Sequence, residues 1–138
     1  MTPLEATELV YAAAVAGVAA MSPAPTLMLE GELGRPAIGT RWIRLAVRDQ
    51  PSPPMTHGPS GGRRVQRGAV LLAQCFAPVG TADGVKAALT MATEFRALFE
   101  GEDVGECAFG TADTRRVGIE GGWMQVNAEC PFTYEATV

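Results

Sequence analysis

The pattern of hydrophobic positions changes several times along the chain, and each change predicts an element. From Pro3 to about Ala20, Leu4, Val15 and Val18 sit among many alanines. Thr2-Pro3-Leu4-Glu5 has the form of a helix start: Thr2 can cap, Pro3 suits the first helical position, and Glu5 can complete a capping box. So smooth a helix favours close packing on a sheet or on another copy of the chain. Ser22-Pro23-Ala24-Pro25 stops it, because a residue before proline is pushed out of helical geometry.

Leu27-Met28-Leu29 then predicts a short strand, followed by a turn-rich connection broken by Gly31, Gly34, Pro36 and Gly39. Arg41 to Asp49 alternates with a period of two. Ile43, Leu45 and Val47 form one face, and Trp42, Arg44, Ala46 and Arg48 form the other, with Trp42 placed to cover an edge of the core. Arg63 to Pro78 reads as another strand. Ala69 to Ala77 is apolar on both faces except at Gln74, which suits a central strand covered on both sides.

A second helix, capped by Asp83 or Thr81, runs to about Glu100 and ends at Gly101. Val85, Ala88, Leu89, Ala92, Phe95, Leu98 and Phe99 fall on one helical face and form its expected core stripe. The remainder reads as strand, at about Asp103 to Phe109, Arg115 to Glu120 and Gly122 to Tyr134. In the last of these, Met124, Val126, Ala128 and Cys130 face one way, and Pro131 places the strand's end at an edge. The order helix, strands, helix, strands predicts an α+β protein: a mixed or mostly antiparallel β-sheet with two flanking α-helices, in a single domain over residues 1–138.

Between the first long strand and the next lies Gln50 to Gly62, with four prolines, three glycines and two serines. A loop of that length with no hydrophobic period is expected to be a flexible arm, about 50–62, that orders on a partner. Length and charge narrow the rest. A chain of 138 residues buries roughly two-thirds of its unfolded surface, so it needs neither disulfide nor metal to fold. The net charge of −4 disfavours non-specific binding to nucleic acid. Cys75, Cys107 and Cys130 are odd in number and lack a CxxC spacing, which points to reduced, mostly buried thiols. The apolar run Leu9 to Met21 follows Glu5 and Glu8 where a signal peptide carries Lys or Arg. It is also shorter than the roughly 18–20 residues of a membrane span, so a packed helix is expected.

Candidate chemistry is sparse. His57 is the single histidine and lies in the Pro/Gly loop; a zinc site needs further His or Cys ligands. None of Ser22, Ser52 and Ser60 lies in a GxSxG nucleophile elbow. Ser60-Gly61-Gly62-Arg63-Arg64 lacks the Lys-Ser/Thr ending of a P-loop. It reads as a loop returning to a strand, with arginines free for solvent or for acids of a neighbouring subunit. Glu100, Glu102, Asp103 and Glu106 read as a solvated acidic turn, because the spacing of a calcium-binding EF-hand is absent. No catalytic residue, metal or cofactor is expected, and the chain reads as a non-enzyme.

A family resemblance adds to this. Trp42-Ile43-Arg44-Leu45 is a strand opened by an aromatic. Gly68-Ala69-Val70-Leu71-Leu72-Ala73-Gln74-Cys75-Phe76-Ala77-Pro78-Val79-Gly80-Thr81 is a glycine-led apolar run ending in F-x-P-x-G. The amphipathic helix Val85 to Phe99 follows, then Gly122-Trp123-Met124-Gln125-Val126 and Cys130-Pro131-Phe132-Thr133-Tyr134. Over about residues 26–136 the chain resembles the small tail-terminator-like proteins of long-tailed bacteriophages and gene transfer agents. The resemblance implies a hexameric ring that caps the tail tube, stops its growth and presents a surface to the head. It also implies a homo-oligomer with a tail tube protein and a head-completion or stopper protein as partners. The location implied is the head–tail junction of a virion or phage-like particle, with assembly in the bacterial cytoplasm. DNA would pass through the ring without specific binding. On that reading His57, Arg63 and Arg64 are the polar contacts of the 50–64 loop, and Glu102, Asp103 and Glu106 form a negative band around the ring. Alternatives are another head–tail connector, a tail tube protein, and a small ligand-binding domain or enzyme.

Overall fold

Helix α1 (Pro3–Ala19) begins as its first residues dictate. The Thr2 hydroxyl accepts from the Glu5 N–H at 3.1 Å, and the Glu5 carboxylate accepts from the Thr2 N–H at 2.9 Å. This reciprocal pair satisfies two of the backbone donors that a helix start leaves without partners. Ala6, Val10, Ala14 and Val18, spaced by four, are buried. The computed structural model describes residues 1–31, 40–50, 64–80 and 83–137. The 50–62 loop, apart from Gln50, lies outside the described residues, as do Thr81 and most of the connection between Gly31 and Gly39.

The strands are β1 (Thr26–Leu29), β2 (Trp42–Gln50), β3 (Arg64–Pro78), β4 (Asp103–Val104), β5 (Cys107–Phe109), β6 (Asp113–Glu120) and β7 (Trp123–Thr137), with helix α2 (Asp83–Phe99) between β3 and β4. They form one sheet of order β1-β2-β3-β7-β5-β4, and β6 also pairs with β7. Among the described strands only β1 with β2 is parallel; the other pairings are antiparallel. The α+β class, with two helices on a mostly antiparallel mixed sheet, is therefore the observed architecture.

Both helices pack on one face of the sheet. Ile43 and Leu45 of β2, Leu71, Ala73 and Cys75 of β3, and Val126, Ala128 and Cys130 of β7 form one core with the buried faces of α1 and α2. Aromatic rings tie α2 to the sheet. Phe95, Phe99, Phe109 and Phe132 follow one another with centroids 5.1, 4.9 and 5.0 Å apart. Beside them the Glu100 carboxylate accepts from Arg96 Nε at 2.9 Å and from the Ala112 N–H at 3.0 Å, joining the end of α2 to the start of β6.

Three expectations need correction. Leu98 is 39% exposed, whereas Val85 and Leu89 are half-buried against the core; Gly84 and Met91 join the buried stripe of α2. Leu98 lies instead against α1, where a Cβ on Gly17 would meet its Cδ1 at 2.8 Å. Second, no described helix covers the other face of β3, where Val70, Leu72, Gln74 and Phe76 are half-buried. Third, Pro131 does not end β7 at an edge. The strand continues to Thr137 between β3 on one side and β5 and β6 on the other. The Pro131 carbonyl accepts from the Gly110 N–H at 3.1 Å, so its backbone faces the gap where β5 leaves off at Phe109 and β6 begins at Asp113. Its missing N–H therefore costs neither ladder a hydrogen bond.

Candidate functional site

Alternation along the strands carries one set of side chains to the face without helices, and strand register orders them in rows. Trp42, Phe76, Gln125 and Gly118 lie side by side across β2, β3, β7 and β6; Arg44, Gln74, Asn127 and Arg115 form the next row; Pro78, Trp123 and Glu120 lie on the other side of the first. One end of this face is thus aromatic and the next row is polar.

The aromatic end is a hollow of about 410 Å³. Trp42 and Phe76 stack with centroids 4.2 Å apart, and Trp123 meets Trp42 edge-on at 6.3 Å. Val117 and Ile119 of β6, 52% and 62% exposed, form its far wall. The backbone explains that wall. The register slips between Arg116 and Gly118, Gly118 takes φ +124°, and Gly121 and Gly122 turn the chain with φ +58° and +83°. Two consecutive residues at positive φ suit the tight turn of a hairpin, and a bulge bends its strand.

The polar side chains in and beside the hollow include Arg44, Glu120, Gln125 and Asn127. The Arg44 guanidinium carbon lies 5.1 Å from the Trp42 ring centroid and makes no ion pair with a described residue. Gln125 Nε2 donates to Asn127 Oδ1 at 2.9 Å, which holds the one buried polar side chain among the described residues. Trp42 is 4% exposed, and its indole N–H has no hydrogen-bond acceptor among the described residues. An unpaired buried donor costs about 1–3 kcal/mol.

The residues singled out in the sequence lie elsewhere. His57 and Arg63 are outside the described residues. Arg64 opens β3 and sits 3.6 Å from Glu135, with both side chains largely exposed. Arg64 and Glu106 share a shallow depression with Met1 and Glu135, so the structure brings together one basic and one acidic candidate. Glu102 and Asp103 are exposed. Glu100 is bound to Arg96 and Ala112, and no group of three acidic, His or Cys side chains among the described residues is arranged to hold a metal. All three cysteines are free and buried. Desolvation pushes the Cys75 and Cys130 thiols up to about 12, so none is poised as a nucleophile. No described helix is long and apolar enough to cross a membrane.

A sequence reading could have found the hollow: Trp42, Phe76 and Trp123 all lie on the strand faces opposite the core residues. What it lacked was the register that makes them neighbours. No family model matches the chain, and no curated protein matches it. Eleven chains of solved structures match. One of them aligns over 93% of this chain and 94% of its own, with TM-score 0.63 and 17% identity; its designation states no function. At that identity the likeness shows a shared fold.

Proposed function

We propose that this chain is a structural subunit that assembles with copies of itself, and that the assembly is the ring of a phage-type tail terminator. It would cap the tail tube, stop its growth and join it to the head through a head-completion protein. The observation that carries self-assembly is the outer side of α1. Leu4 and Val15 are 66% and 42% exposed, and Ala12, Ala16 and Ala19 are exposed beside them, while the inner side of the same helix is buried in the core. A surface helix normally turns a polar face outward; one that is apolar on both sides is matched to burial on both. The resemblance of residues 26–136 to tail terminators supplies the kind of assembly, and the two-helix α+β sheet agrees with the fold that family implies.

Size-exclusion chromatography with light scattering, on the protein alone and with tail tubes, tests this reading. A ring of about six subunits, free or on a tube end, is expected. Electron micrographs of particles made without the protein should show overlong tails. A protein that stays monomeric with and without tubes, and whose loss leaves tail length unchanged, would refute the proposal. Missing tails would instead favour a tube protein.

A further inference from the structure

We infer that the aromatic hollow receives the outer stripe of α1 from a second copy of this chain, so that copies join head to tail. This rests on the self-assembly reading above and names its interface. The two surfaces lie on opposite sides of the molecule. The stripe of Leu4, Glu8, Ala12, Val15 and Ala19 is on the outer side of the helix layer, and the hollow is on the face of the sheet that no described helix covers. Each is apolar and exposed, and neither can reach the other within one chain. A contact between two different patches is heterologous. Its repetition closes into a ring when the rotation between neighbours divides a full turn.

Charge favours this pairing over one stripe against another. Helix α1 has no Lys or Arg, so two stripes face to face leave Glu8 without a cation. The hollow holds Arg44 on β2 and Glu120 on β6, in rows on opposite sides of the Trp42–Phe76 row, so Glu8 fits it beside Arg44; neither Arg44 nor Glu8 is in an ion pair with a described residue. Size agrees: from Ala12 to Ala19 the ridge is built of alanine and valine and is low, and the hollow is open between Val117, Ile119 and Trp123.

The chain contains two tryptophans, and both line the hollow, so its own fluorescence reports the contact. Emission should change with protein concentration in step with association. A stripe variant, Ala12→Glu with Val15→Glu, and a hollow variant, Val117→Glu with Ile119→Glu, alter exposed positions; circular dichroism and melting check that both fold. Each alone should lose self-association at least tenfold, and the two mixed should give a one-to-one heterodimer that goes no further. As a second measurement, Glu8→Arg and Arg44→Glu should each weaken association, and the double variant should restore it.

Assembly of both paired variants as in the native protein would overturn the interface while leaving self-assembly intact. So would a stripe variant that fails alone beside a hollow variant that still assembles alone, since that marks a stripe-to-stripe contact. Association with unchanged tryptophan emission would also overturn it. If the native chain never associates, alone or on tubes, the self-assembly reading itself falls and takes this one with it.

Discussion

Trp42 lies directly opposite Phe76 across the β2–β3 pair, and the two rings stack within 12° of parallel. This pair forms the floor of the hollow and shields the sheet on the side away from the helices. Trp42→Ala would remove the stack and leave a cavity, lowering stability by about 3–5 kcal/mol. Trp42→Phe keeps an aromatic ring and deletes the unpartnered N–H, so it should cost the isolated subunit less than Trp42→Ala by at least about 2 kcal/mol. Urea unfolding of both variants measures the difference; equal losses would show that the ring contributes little.

Glu100 gives a pH-dependent prediction. Its bond with Arg96, then that with the Ala112 N–H, holds its carboxyl below the usual range. A depressed folded-state pKa contributes stability above the unfolded value of 4.5, and this is lost as pH falls through the lower folded value. Glu100→Gln should therefore be less stable than the native chain at pH 7, with the gap narrowing as pH drops below about 4. Parallel pH titrations of the melting temperature test this, and a gap that stays constant would contradict it.

The thiols behave in the opposite sense. Burial raises Cys75 and Cys130 from 9.0 to about 12 and raises Cys107 less. Groups raised on folding stabilise the fold fully below pH 9 and progressively less as pH climbs toward 12. Native protein at pH 8 should leave its cysteines unreactive to a disulfide reagent, and unfolded protein should titrate three. Rapid labelling of Cys75 or Cys130 in the native state would show that the core opens.

Two glycines are fixed by their surroundings for different reasons. A Cβ on Gly84 would collide with the Pro78 carbonyl where α2 leaves the sheet, so Gly84→Ala should cost about 1–3 kcal/mol. At Gly122 there is open space but φ is +83°, so Gly122→Val should cost about 1–2 kcal/mol through backbone strain alone. Chemical denaturation separates these from Gly110→Ala, which has neither problem and should change little.

Local chemistry made much of the fold readable in advance. The Thr2–Glu5 capping box, the period-two alternation of β2 and the apolar alternation of β7 each express a rule that operates within a few residues. The failures came from long-range effects. Leu98 fits the α2 stripe by spacing, yet it lies against Gly17 of α1 and stays 39% exposed. Pro131 reads as a strand end, because nothing local shows that two separate strands share one side of β7. The hollow was missed for the same reason: Trp42, Phe76 and Trp123 are far apart in sequence, and only the β2–β3–β7 register brings them together.

The interruption at Pro131 also affects how the sheet can vary. Because the missing Pro131 N–H breaks neither ladder, residues 110–112 form a seam between the two strands that share one side of β7, held by Gly110 to the Pro131 carbonyl and by Ala112 to Glu100. The strand leading to Gly121-Gly122 can be lengthened, shortened or tilted without disturbing the phenylalanine cluster beneath the other. Related chains could thus reshape the wall of the hollow, and with it the choice of neighbour, while their common interior stays fixed.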